Sequence, residues 1–524
     1  MAETYEFVVV GSGMNSLVCA AVLAKGGKRV VVLERNDRIG GCIRSEELFP
    51  GYTHDILSTS YPLFTTGPGY EALGADLHAA GLEFANTDYP TAVLTEDGHS
   101  LIMSTDGEET GRRFDAVHRG DGAAFGSAIG SFFEANAELT FGLLGNELYS
   151  RSATKLLFKE TRKRKLRGTF EFFGESLESC RTWVERDFES DLVKGIVAPW
   201  VLHAGLGPDD TYSGLMGKVI MGAIGMAGMP VVVGGSQKII DAFRTVIEGN
   251  GGSLVTDADV ARVTVSGGKA SGVVTTDGTT YLASEAVIAN VTPTQLYGRL
   301  IEAPPPDIAA KAAAYRYGRA DMQVHYALSA PPEWPDPDLA KVAYVHLTAG
   351  LDGVSKAVNE AERGLLPESG TIVVGQPVAL DSSRAPEGGW IFWVQLQELP
   401  SVIKGDAAGE IAAPADGRWN NEVKEAYLDR IERRLAALIP NFRSSIVGRA
   451  AYSPAELEGM NMNLVGGDPY SGACSIDQFL LWRPFPGARN HETPIKRLFH
   501  IGASTHPGPG LGGNSGFMVA SKFV

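Results

Sequence analysis

Phe7-Val8-Val9-Val10-Gly11-Ser12-Gly13-Met14-Asn15-Ser16, read together with Glu34, decides how this chain folds. Residues 7–10 are apolar and valine-rich, the composition of a strand buried on both faces of a parallel sheet. Leu17-Val18-Cys19-Ala20-Ala21-Val22-Leu23-Ala24 continues as a helix that stops at Gly26-Gly27. Residues 29–33 make a second strand, which ends in Glu34. Strand, turn, helix and strand within about thirty residues is a βαβ unit. Gly11, Gly13 and Ser16 take the three positions of a GxGxxG turn. The first glycine permits the tight turn and the second lets the backbone approach a pyrophosphate. The third position needs a small residue for helix–strand packing, where Ser16 departs from glycine. Met14 and Asn15 open the helix, whose free N–H groups and positive dipole end suit phosphates. Glu34 stands where an acid accepts hydrogen bonds from ribose hydroxyls, and its charge disfavours a 2′-phosphate.

Outward from this unit, the alternation returns after residue 234. Gly234-Gly235-Ser236 opens a helix from about 237 to 248. Strands are expected at 261–265, 272–276, 280–282 and 286–289, with Asn290 at the end of the last one. Leu498-Phe499-His500-Ile501-Gly502-Ala503 repeats the strand-to-glycine pattern near the C-terminus. A chain of 524 residues exceeds one small core, so two domains are expected.

The bulk properties exclude several classes. A formal net charge of -16 argues against nucleic-acid binding. Cys19, Cys42, Cys180 and Cys474 form no CxxC pair, and the histidines show no HxxxH spacing, so no disulfide framework and no metal site are expected. No secretory signal and no run of about 18 apolar residues is present, which predicts a cytoplasmic protein. The oligomeric state is not fixed by any of these features.

After Glu34 the chain reads Arg35-Asn36-Asp37-Arg38-Ile39-Gly40-Gly41. This resembles the extended signature of the glutathione-reductase-like FAD proteins. The C-terminal run from Gly502 to Gly516, with His506-Pro507-Gly508-Pro509-Gly510-Leu511-Gly512-Gly513-Asn514 inside it, resembles the phytoene-desaturase branch. Within that branch it is most similar to the group named after a pyridine nucleotide-disulfide oxidoreductase domain. Gly234-Gly235-Ser236-Gln237, Asp477-Gln478 and Arg483-Pro484-Phe485-Pro486-Gly487 share the likeness.

The resemblance implies an α/β fold in which a Rossmann-like FAD-binding domain is built from the discontinuous segments 1–75, 231–301 and 491–524. An α+β substrate domain is expected over 76–230 and 302–490. The implied cofactor is FAD, held by Gly11, Ser12, Gly13, Met14, Asn15, Glu34, Arg35, Gly40, Gly41, Arg44, Asn290, Gly502, Ala503, Leu511, Gly512, Gly513 and Asn514. Arg44 reads either as a contact to the cofactor or as a surface cation. Glycines before the last helix expose N–H groups that would stabilise negative charge on a reduced flavin.

Only one dinucleotide fingerprint is present, so electrons are expected to enter from a substrate and leave to oxygen or a quinone. The implied reaction takes a hydride from a hydrophobic or alicyclic small molecule to flavin N5 and forms a C=C bond. A flavin amine oxidase forming C=N, a redox-neutral flavin isomerase and a non-catalytic lipid-binding scaffold are the alternatives. Hydride transfer needs no protein nucleophile, but C–C oxidation also needs a proton acceptor, either a side chain or water. His506, in the glycine-rich loop, is the first candidate, and His203 and Tyr326 follow. His54 and Asp55 read better as structural groups, and Cys42 and His506 are the side chains considered for a covalent flavin link.

In the expected substrate region, Met216, Met221, Met226 and Met229 suit either an adaptable tunnel or a core. Trp390-Ile391-Phe392-Trp393-Val394-Gln395-Leu396-Gln397 has strand periodicity, with one face available to wall a pocket. A second strand is expected over 322–328. Eight basic residues between Arg151 and Arg167, interleaved with Leu156, Leu157 and Phe158, read as a solvated or subunit-contacting helix, or as a peripheral membrane contact.

Overall fold

A computed structural model describes residues 3–524 and carries two large sheets. In the first, Glu3–Val10 pairs in parallel with Val30–Leu33 on one side and with Thr280–Asn290 on the other. Ser253–Val255 extends the sheet beyond Val30–Leu33, and Leu498–Ile501 runs parallel to Thr280–Asn290. A hairpin of Val260–Ser266 and Lys269–Thr275 completes it. Phe7 to Val10, Val30 to Leu33 and Ala286 to Ala289 are all buried where they pair, which is why they read as continuous apolar runs.

Register aligns the strand ends. Val10 lies opposite Leu33 and Ala289, and Asn290 lies opposite Ile501. Gly11, Glu34, Asn290 and Gly502 therefore share one carboxyl edge of the sheet, where ligands of open α/β sheets bind. The helix Met14–Lys25 is buried over most of its length, packed between the sheet and the helices Gln237–Gly249 and Asn514–Ala520.

One expectation changes. Residues 280–282 and 286–289 are not two strands but parts of one, Thr280–Asn290. Its first part pairs antiparallel with Lys269–Thr275, while its length pairs parallel with Glu3–Val10. Ser284-Glu285 is polar but has no turn residue, and it sits where the register shifts between Tyr5 and Phe7, so it is absorbed as a bulge.

The second sheet has the order Ile446–Tyr452, Ala320–Leu328, Trp390–Leu399, Ile372–Gly375, Tyr344–Thr348, Thr91–Thr95, Ser100–Met103. Alternation divides its faces. Ala320, Met322, Val324, Tyr326, Phe392, Val394 and Leu396 join the core beneath the helix Asn421–Leu438. Residues between them, including Asp321, Gln323, Trp393 and Gln395, face the other way, toward a cavity. Helices Cys180–Asp187, Asp191–Val197 and Ser213–Ala227 pack on that side around Trp183, Trp200 and Met221.

A buried ion triad ties distant segments together. Arg384 is 0% exposed, with Nη1 2.5 Å from Asp55 Oδ2 and Nε 3.1 Å from Asp381 Oδ2. Asp55 also accepts from Ser45, Thr59 and the Ser236 N–H, and Asp381 accepts from the Gly234 N–H. The glycine pair at 234–235 is thereby fixed against the chain that follows the first βαβ unit. Among the described residues no helix is long and apolar enough to cross a membrane.

Candidate active site

A cavity of about 600 Å³ runs along the carboxyl edge of the first sheet and opens beneath the second. That volume lies within the usual range of small-molecule sites.

At one end the GxG turn meets Glu34. The Ser12 N–H and hydroxyl both donate to Glu34 Oε2, at 3.0 and 2.6 Å, and the Asn36 N–H donates to Oε1 at 3.0 Å. Ser12 Oγ in turn accepts from the Gly40 N–H at 3.0 Å. Gly40 does not line the cavity; it fastens the second glycine pair to the first. Gly41, at a φ of +61°, brings its backbone so near Gly13 that a β-carbon would stand 3.0 Å from Gly13 Cα.

Asn290 forms the floor between the turns. Its Nδ2 donates to Ser16 Oγ at 2.9 Å, and its backbone carbonyl lies against Gly11. The serine at the third fingerprint position thus has a partner that glycine would lack. Gly502, with φ at +108°, stands where a β-carbon would overlap Asn290 Oδ1. Gly502 itself supports the cavity rather than lining it, while Ala503, Leu511, Gly512, Gly513 and Asn514 line it. Asn15 Oδ1 accepts from Ser515 Oγ at 2.8 Å, which locks the first helix to the last.

This end fits a dinucleotide. The helix Met14–Lys25 has no acid in its first turn and no side-chain cap; the Ser16 N–H returns to the Gly13 carbonyl at 2.8 Å, and the N–H groups of Met14 and Asn15 remain to face a phosphate. Gly11, Gly13 and Gly41 leave a cradle without side chains, and Glu34, Arg35, Asp259 and Arg299 supply polar groups around its far end. Arg44 is placed differently from the reading as a contact. It pairs with Glu46 and does not line the cavity.

At the other end the walls are apolar and aromatic. Met216, Val219, Ile220, Ala223 and Ile224 come from one face of Ser213–Ala227, opposite Trp393, Tyr344 and Trp200. Of the four methionines, Met216 and Met229 line this chamber, Met221 is in the core and Met226 is exposed. Three polar groups border it from the second sheet: Asp321, Gln323 and Gln395. Gln395 Nε2 donates to Asp321 Oδ2 at 2.6 Å, and Asp321 Oδ1 has no partner. Asp321 is 4% exposed, and burial raises its pKa to about 8.

The three expected proton acceptors are not brought together. His203 lines the chamber, its Nε2 3.1 Å from His346 Nε2, and burial lowers its pKa to about 3. The ring is therefore neutral, and one hydrogen is shared between the two Nε2 atoms. His506 does not line the cavity. Its Nε2 meets the carbonyls of Leu143 and Asn146 at 3.0 and 3.1 Å, which turns the ring toward the end of the helix Asp121–Leu144. Tyr326 lies on the opposite face of its strand, packed edge-on against Phe442, because alternation puts it with Val324 in the core. Cys42 does line the cavity, but Asn461 Nδ2 approaches its sulfur at 3.5 Å and burial lifts the thiol to about 11, so it is held as the protonated form.

Sequence reasoning misses Asp321, Gln323, Tyr344 and Trp200. It starts the strand at Met322, whereas the strand runs Ala320–Leu328. A polar residue at every second position of an otherwise apolar strand is the available signal.

The profile of the family described as flavin containing amine oxidoreductase matches residues 17–509. A pyridine nucleotide-disulfide oxidoreductase domain-containing protein 2 of Rattus norvegicus is 28% identical, covering 98% of this chain and 92% of the relative. A phytoene desaturase of Fusarium fujikuroi is 24% identical over 96% of this chain and 86% of the relative. Among solved structures, cyclohexylamine oxidase from Brevibacterium oxydans superposes with a TM-score of 0.57 at 14% identity, covering 99% of this chain and 98% of that one. At that identity the likeness speaks for the fold.

Proposed function

The chain belongs to the flavin containing amine oxidoreductase family and its cofactor is FAD, and from that premise we propose that it dehydrogenates a neutral hydrophobic or alicyclic substrate, leaving a C=C bond. The observation that carries this reading is the wall of the chamber. Its charged side chains, Glu34, Arg35, Asp259 and Arg299, cluster at the dinucleotide end, and beyond them Asp321 is the one carboxyl among the described residues of the lining. A carboxyl that stays protonated at neutral pH offers no counter-charge to an ammonium group. Apolar and aromatic walls instead favour a neutral carbon skeleton.

FAD, when bound, supplies the two-electron acceptor. The chain's own residues do the rest. Ser213–Ala227 and the aromatic wall exclude water and orient the substrate. His203 holds a neutral imidazole beside it, backed by His346, and takes the proton that leaves with the hydride. His506 and Tyr326 have no part in this scheme, since neither borders the chamber.

The segments 1–75, 231–301 and 491–524 carry the cofactor, and 76–230 and 302–490 carry the substrate, with oxygen or a quinone as electron acceptor. The helix Arg151–Ser176 gives a peripheral contact with anionic membrane on the cytoplasmic side. Its Phe158 and Phe170 are 70% and 66% exposed among basic residues, and Phe141, 40% exposed, lines the cavity. Binding to anionic vesicles that disappears in high salt is the expected result there.

Amine oxidation is the second reading, favoured by the family's description. Turnover with an artificial electron acceptor, followed by mass and NMR analysis of the product, separates the two. A product with a new C=C bond from an alicyclic substrate is expected. Turnover confined to amines, giving imines or aldehydes, would overturn the proposal.

A further inference from the structure

We propose that the amide oxygens of Gln323 and Gln395 form a hydrogen-bond acceptor pair in the chamber wall, so that the enzyme binds alicyclic substrates bearing a hydroxyl group more tightly than ketones or plain hydrocarbons. This rests on the carbon-oxidation reading above and narrows its substrate class.

Both amides are aimed by the bonds they already make. Gln323 and Gln395 stand directly opposite each other in the antiparallel pairing of Ala320–Leu328 with Trp390–Leu399, and both line the cavity. Gln323 Nε2 donates to the Val394 carbonyl at 2.9 Å, and Gln395 Nε2 donates to Asp321 Oδ2 at 2.6 Å. A carbonyl can only accept, so the Gln323 amide cannot be turned round without losing its bond. Asp321 serves as the anchor of the second amide. Its own Oδ1 is sealed from the cavity, and the backbone N–H groups of Met322 and Leu396 bear on its carboxyl. Among the described residues neither Oε1 receives a hydrogen bond from the protein, and, unlike Asp321 Oδ1, both keep surface open to the chamber.

The donors on the surrounding wall are spent elsewhere. The Tyr470 hydroxyl donates to the Leu202 carbonyl at 2.6 Å, Trp393 Nε1 donates to the Leu57 carbonyl at 2.9 Å, and the Tyr344 hydroxyl is paired with that of Ser60 at 2.9 Å. The hydrogen for the two amide oxygens therefore has to come from the ligand. A hydroxyl gives one. A ketone oxygen meets only acceptors, and a hydrocarbon displaces water from both oxygens without replacing its hydrogen bonds, which loses affinity. An ammonium would donate to both, but it would be a buried cation with no exposed carboxyl beside it, since Asp321 is sealed behind Gln395. A neutral donor is what the pair fits.

The test is a set of anaerobic titrations of the FAD-loaded enzyme, followed by flavin absorbance. The probes are cyclohexanol, cyclohexanone, methylenecyclohexane and cyclohexylamine, each with the wild type, Gln323→Met, Gln395→Met and the double variant. Cyclohexanone is close in size to cyclohexanol but has no hydrogen to give, and methionine keeps the length of glutamine without its acceptor. The wild type should bind cyclohexanol about tenfold more tightly than cyclohexanone or methylenecyclohexane, the worth of one hydrogen bond. Each single variant should narrow that margin and the double variant should abolish it. Equal affinity of the wild type for alcohol and ketone would overturn the inference, as would a margin that survives in the double variant; if the double variant fails to load FAD, the wild-type comparison decides. Cyclohexylamine bound more tightly than cyclohexanol would overturn it too, since the pair would then be a cation site. Equal affinities alongside flavin bleaching by an alicyclic carbon compound would sink this inference and leave the dehydrogenase reading standing. A tenfold preference for the alcohol with the flavin bleached by amines alone would keep the acceptor pair and sink that reading instead.

Discussion

At the scale of single residues, two acids at opposite ends of one cavity behave differently because their partners differ. Glu34 receives three hydrogen bonds from Ser12 and Asn36 beside the glycine turn. Replacing it with glutamine should weaken FAD retention about 10- to 100-fold, the worth of a hydrogen bond to a charged acceptor, as measured by flavin fluorescence on dilution. Asp321 receives one from a side chain. Its folded pKa of about 8 lies above the unfolded value of about 3.9, so the proton is held more tightly in the folded state. The stability linked to it is complete below about pH 4 and is lost as pH rises through about 8. The Tm of Asp321→Asn should accordingly gain on that of the wild type between about pH 5 and pH 8; a constant gap would contradict the assignment. His203→Gln should lower kcat about a hundredfold without changing flavin content, since it removes the proposed proton acceptor and no cofactor contact. The fingerprint residues are legible because phosphate-adjacent glycines must fall at fixed spacing along one βαβ unit. Asp321 is harder to read, because its alternation with apolar neighbours marks only the face of the strand Ala320–Leu328, and which side of the sheet meets the cavity is decided by tertiary packing.

Elements show the same division. The first strand, helix and second strand follow directly from local pattern, since the stretches that pair and pack are buried and read as continuous apolar sequence. The strand Thr280–Asn290 reads as two in the sequence, because Ser284-Glu285 interrupts the apolar run, and only its two different neighbours explain why the backbone continues. The helix Arg151–Ser176 extends well past the basic run that points to it, with a break in helical geometry at Lys165. Tight crossings are also hidden from the sequence. The last helix meets the first so closely that a β-carbon on Gly516 would overlap the Asn15 carbonyl. Gly516→Ala should cost about 1–3 kcal/mol in denaturant unfolding, because a backbone atom has to move. A cost near zero would show that the two helices can separate freely.

For the whole molecule, the carboxyl edge of one sheet and one face of the other are joined into a single cavity. Segments far apart in sequence meet there, so the α/β class is readable from local pattern while the chamber's lining is not. The Asp55–Arg384–Asp381 triad helps to hold that meeting in place. Arg384→Met should cost about 3–5 kcal/mol, since it strands two buried carboxylates, and flavin loss should accompany it. The most direct test of the account is an anaerobic visible spectrum of the purified flavoprotein, recorded before and after adding an alicyclic ketone and, separately, an amine. An oxidised flavin spectrum that bleaches with the ketone and not with the amine is the expected result. Bleaching by the amine alone would contradict it.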